Sequence, residues 1–117
     1  MISSELLSRI LPNTSDKSYR IGPDNSGVFV VIVTDHAQHG LRSYLNIYEL
    51  AHLCKQWCIS IGFEVTTVVS EFYVTCAIVD KDNNYEPNPL FNGANEQEAV
   101  FAATQWIYEQ SQLKDNT

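Results

Sequence analysis

The chain has 117 residues, 44% of them apolar and 18% charged, and fourteen acids against seven bases give it a net charge of −7. That length holds one core of ordinary size, and the apolar content excludes global disorder. The longest apolar run, Val28 to Val33, is too short to span a membrane. Met1 to Glu5 lacks the basic region and apolar core of a secretory signal. Three Cys, an odd count, then read as reduced thiols in a cytoplasmic protein.

In chain order, Ile2, Leu6, Leu7, Ile10 and Leu11 recur at helical spacing behind Ser3 and Ser4, predicting a short N-terminal helix within residues 1–12 that Pro12 ends. Tyr19 to Ile21 is a short candidate strand. After the breaker-rich Gly22 to Gly27, Val28 to Thr34 reads as a buried strand. Asp35 to Ser43 reads as a polar loop. Asn46 and Glu49 have the spacing of a capping box, and Ile47, Leu50, Cys54, Trp57, Cys58 and Ile61 fall on one stripe up to Gly62. Phe63 to Val69 and Phe72 to Val79 alternate as strands and are close enough in sequence for an antiparallel hairpin. Tyr85 to Ala94 can add only a short edge strand, because Pro87 and Pro89 lack N–H donors. Asn95 and Glu98 repeat the capping signal before a last helix with Ala99, Ala102, Ala103, Trp106, Ile107 and Gln110 on its inner stripe; the polar tail 112–117 is expected to fray. The expectation is a single α+β domain over residues 1–117, with an antiparallel sheet packed by two main helices, an N-terminal helix and an extra strand.

The chemistry-bearing motifs are incomplete. His36 and His39 with Asp35 supply half of a zinc site at most. Cys54 and Cys58, four apart on a helix, sit among Leu50, Trp57 and Ile61 and suit core packing, as does Cys76 between Val74 and Ile78. The Asp80 to Glu86 turn spaces oxygen ligands like a calcium loop, but Tyr85 stands where the sharp turn needs Gly and Phe91 where the bidentate Glu belongs. No nucleophile elbow, H-E-x-x-H or Gly-rich phosphate loop is present. No catalytic residue, metal or cofactor is therefore expected.

Charge is divided unevenly. Residues 1–63 carry five acids and five bases, whereas residues 64–117 carry nine acids against Lys81 and Lys114. Direct nucleic-acid binding is not expected from such a balance. Asp80, Asp82 and Glu86 on the turn, together with Glu96 and Glu98 at the last helix, form a candidate surface for a basic protein partner. The alternative is a small-ligand sponge or enzyme acting on a nucleotide signal through an aromatic pocket of Tyr85, Phe91 and Trp106.

From Asn46 to Tyr108 the expected order of helix, three strands and helix resembles the plan of double-stranded-RNA-binding domains. In those domains basic residues start the last helix. Here Asn95-Glu96-Gln97-Glu98-Ala99 stands there, so RNA binding does not carry over. Ala94 to Val100 running into Ala102-Ala103, with residues 2–11 as a leading helix, also resembles small phage-encoded proteins of the ABA-sandwich layout. That likeness implies an accessory protein of a phage or mobile element and brings no catalytic residues. The function expected of the chain is non-enzymatic, the binding and modulation or inhibition of a host protein.

Overall fold

In the computed structural model, which describes residues 2–11, 16–80 and 88–115, the chain runs α1 (Ser4–Ile10), β1 (Lys17–Pro23), β2 (Phe29–Asp35), β3 (Leu41–Leu45), α2 (Ile47–Ser60), β4 (Phe63–Val69), β5 (Val74–Asp80), β6 (Phe91–Gly93) and α3 (Glu96–Asp115). The strands form two three-stranded antiparallel sheets, β1-β2-β3 and β4-β5-β6. The expected α+β class and its helix, three-strand, helix core are present, and the extra strand expected near residue 30 is the centre of a sheet of its own.

Capping residues start the helices. Ser3 Oγ accepts from Leu6 N–H at 3.2 Å and opens α1. Asn46 Oδ1 accepts from Tyr48 N–H at 2.6 Å; among the described residues Glu49 makes no return bond. Asn95 caps α3, its Oδ1 accepting from Glu98 N–H at 2.9 Å, while Glu98 Oε2 reaches one residue past the cap to accept from Ala94 N–H at 3.1 Å in place of the expected Asn95 N–H. Gly62, at φ 96°, takes the left-handed conformation that turns α2 into β4.

The stretch 35–43, expected as a polar loop, contains a 3-10 turn at His36–Gln38 and then β3, which pairs with β2 from Val31↔Leu45 to Asp35↔Leu41. Four of the five β3 residues are exposed. Without one buried face the segment carries no alternating pattern, and pairing with β2 makes it a strand.

α3 is buried on more than the single stripe expected. Val100, Phe101, Thr104 and Tyr108 are buried along with Ala99, Ala103 and Ile107, while Ala102 and Trp106 are half-buried. Neighbours on several sides account for this. Cys58 Sγ of α2 lies 3.7 Å from Thr104 Oγ1, Ser3 N–H donates to Gln105 Oε1 at 2.9 Å, and the Arg9 guanidinium sits 5.4 Å from the Tyr108 ring. Buried Thr104 also donates to the Val100 carbonyl at 2.7 Å, so its hydroxyl is satisfied within its own helix. α3 meets β6 at Gly93, where a Cβ would stand 2.6 Å from the Ala99 nitrogen; only Gly allows that approach. The helix continues through Gln112 to Asp115.

Candidate functional site

Cys54, Cys58 and Cys76 are all free and fully buried. Burial pushes the Cys54 thiol up to about 12 and those of Cys58 and Cys76 to about 11. Thiols that resist ionisation are poor nucleophiles and poor metal ligands, so these three act as small core residues. His36 Nε2 lies 3.0 Å from Ser18 Oγ, and His39 occupies a left-handed turn position. Among the described residues, no group of three or more His, Cys, Asp or Glu is placed to hold a metal.

Asp80 and Glu96 take different places along the β4–β5 ladder. Asp80 pairs with Phe63 at one end of the β4–β5 ladder. Glu96 lies further along it, where its Oε1 accepts from Thr67 Oγ1 at 3.2 Å and from Lys55 Nζ at 2.6 Å. Thr67 and Phe63 are four residues apart, roughly 14 Å along a strand. The Lys55 hydrogen bond holds the Glu96 carboxyl below its usual range. Glu98 is engaged in the α3 cap. Asp82, Tyr85 and Glu86 lie outside the described residues. Phe91 and Trp106 do meet, with ring centroids 6.3 Å apart, and their tilted contact packs β6 on α3.

A cleft of about 400 Å³ lies elsewhere, between the first sheet and the start of α3. Ile21, Phe29 and Phe101 line it with apolar surface, and Asn92, Asn95 and Gln97 supply carboxamides. Two of those carboxamides are oriented by the fold, because Asn92 Oδ1 accepts from Thr75 Oγ1 at 2.8 Å and Asn95 Oδ1 caps α3.

Among the described residues the two most exposed large apolar side chains, Phe72 and Val69, lie on the β4–β5 hairpin. Ser70 N–H donates to the Tyr73 carbonyl at 2.9 Å, leaving Glu71 and Phe72 at the tip. Phe72 is 85% exposed, Val69 74% and Val68 61%, with Tyr73 beside them. The Ser70–Tyr73 bond also fixes the phase of the ladder. Glu64, Thr66 and Val68 direct their N–H and C=O groups toward β5, and Phe63, Val65, Thr67 and Val69 direct theirs to the opposite edge. No strand pairs with that edge among the described residues. Alternation in Phe63 to Val69 marked the strand, but nothing in it told which side would stay unpaired. Val68, Val69 and Phe72 were legible as apolar residues and not as a surface.

No protein-family model matches the chain, and neither the curated proteins nor the solved structures give a significant match.

Proposed function

We propose that this chain is a non-enzymatic accessory protein that binds another protein and modulates it, with the β4–β5 hairpin as its docking element. The observation that carries this reading is the concentration of Val68, Val69, Phe72 and Tyr73 on one exposed hairpin end. Val68 and Val69 point to opposite faces of the strand with Phe72 at the tip between them, and exposed apolar side chains gathered at one end mark interaction sites more often than isolated ones do. Acidity adds selectivity, because a net charge of −7 favours a partner with basic residues around its own apolar patch. Buried unpaired thiols support a reducing, cytoplasmic setting.

The test compares capture by wild type with capture by the Val69→Ser, Phe72→Ser double variant, followed by mass spectrometry of bound protein. Both side chains are exposed, so each change should alter stability by no more than ~0.5 kcal/mol. Loss of a specifically captured protein with an unchanged melting temperature is the expected result. Equal capture by both forms would overturn the reading.

A second reading rests on the cleft of Ile21, Phe29 and Phe101. Its apolar lining and oriented carboxamides suit a small neutral ligand with carbonyl acceptors. A nucleotide signal is a poorer fit, since Glu98 is the charged residue at that cleft. A rise in melting temperature with such a ligand, abolished in Phe101→Ser, would support it.

A further inference from the structure

We infer that the β4 edge docks a second copy of this chain, pairing antiparallel about a two-fold axis through Thr66. The inference rests on the hairpin as a docking element and names the partner its edge fits.

Four edge strands bound the two sheets. β1 carries Lys17, Arg20 and Pro23, β3 carries Arg42, and β6 is only three residues long. Charged side chains, proline and shortness are the devices that keep strand edges from pairing with another chain. β4, Phe-Glu-Val-Thr-Thr-Val-Val, has no Lys, Arg or Pro, carries the single acid Glu64 and keeps its full seven residues in register with β5.

β4 can pair antiparallel with a second β4 over its whole length. Of the antiparallel registers that keep like faces together, the one centred on Thr66 pairs all seven residues. Phe63 then lies opposite Val69 of the second copy, and Val65 opposite its Thr67, so helix-side residues meet helix-side residues. These are the residues whose N–H and C=O groups point to the open edge, and each exchanges both backbone bonds with its counterpart. Glu64 falls opposite Val68 of the second copy. The two Glu64 side chains stand four residues apart, roughly 14 Å at a strand's rise, beyond the ~8 Å screening length at physiological salt.

Apolar surface completes the match. Exposed Ile59 and Ile61 precede β4, exposed Val69 ends it and exposed Phe72 follows. Antiparallel self-pairing brings the start of one β4 to the end of the other, so Ile61 meets the Glu71–Phe72 tip at both ends of the axis. Because each copy carries −7, added salt strengthens this association, whereas it weakens capture of a basic partner.

Sedimentation equilibrium on the wild-type chain should show a concentration-dependent monomer–dimer equilibrium that shifts toward dimer as salt is raised. Thr66→Cys places two thiols at a directly opposed non-hydrogen-bonded pair, where Cα atoms approach to about 4.5 Å, within disulfide reach. Oxidised glutathione should convert it to a disulfide-linked dimer. Val68→Cys, exposed on the same face but far from its own mate, should stay monomeric under the same oxidation. A wild-type chain that is monomeric at every concentration and salt, or cross-linking of Val68→Cys as fast as Thr66→Cys, would overturn the second copy as partner. The capture test with Val69→Ser and Phe72→Ser would still decide the docking reading by itself.

Discussion

The two sheets are built from similar strands but covered differently. In β5 the helix-facing residues Val74, Cys76 and Ile78 are buried under α2 and α3, with β4 and β6 on either side. β3 leaves Leu41 to Tyr44 exposed, and the first sheet reaches the core mainly through Tyr19 and Val31. The N-terminal region is held as much by α1, whose Leu6 and Leu7 are fully buried, as by its own strands. Stability therefore concentrates in the helix–sheet unit of residues 46–108, and the periphery is free to carry surface chemistry.

The largest effect expected from that contrast is at Ile107, fully buried in α3. Ile107→Ala should cost ~2–5 kcal/mol in denaturant unfolding, a large share of the ~5–15 kcal/mol typical of a domain. Leu41→Ala in exposed β3 should stay within ~0.5 kcal/mol. Similar losses at both sites would mean that the first sheet is as central as the second.

Gly93→Ala sharpens the contrast at the seam between β6 and α3. Its Cβ would stand 2.6 Å from the Ala99 nitrogen and 3.1 Å from the Asn95 carbonyl oxygen, both backbone atoms that cannot swing aside. A loss of ~1–3 kcal/mol is expected, as for other overpacked sites. An unchanged unfolding midpoint would show that α3 can shift away from the sheet without penalty.

The smallest effect is at Lys55–Glu96, which joins the two long helices at the surface. Its side chains are 34% and 41% exposed, so a double-mutant cycle should give only ~0.2–1 kcal/mol. The hydrogen bond from Lys55 lowers the folded-state pKa of Glu96. The pair's contribution is therefore complete above the ordinary glutamate value of about 4.3 and is lost as pH falls through the lower folded value. A cycle energy that persists unchanged below that range would assign the contact to packing.

What could be read from the sequence follows from how local each cause is. The Asn95 cap of α3, Gly62 after α2, and the alternation of Val74, Cys76 and Ile78 act within a few residues, and all appear as expected. β3 escaped because an exposed strand has no periodicity to show. The many-sided burial of α3 escaped because Phe101 and Tyr108 are covered by elements distant in sequence. The acidic surface was legible as charge but not as geometry: Lys55, forty-one residues away, engages Glu96. For the docking edge, the residues of β4 were in view, whereas the side left unpaired depends on the phase set by Ser70 and Tyr73.

Residue-resolved amide hydrogen exchange along β4, at low and high protein concentration, tests the docking edge most directly. Glu64, Thr66 and Val68 should be protected at both concentrations by their bonds to β5. Phe63, Val65, Thr67 and Val69 should exchange fast in dilute protein and slow markedly when it is concentrated. Exchange of those four amides that does not depend on concentration would contradict a free edge that pairs with its own copy.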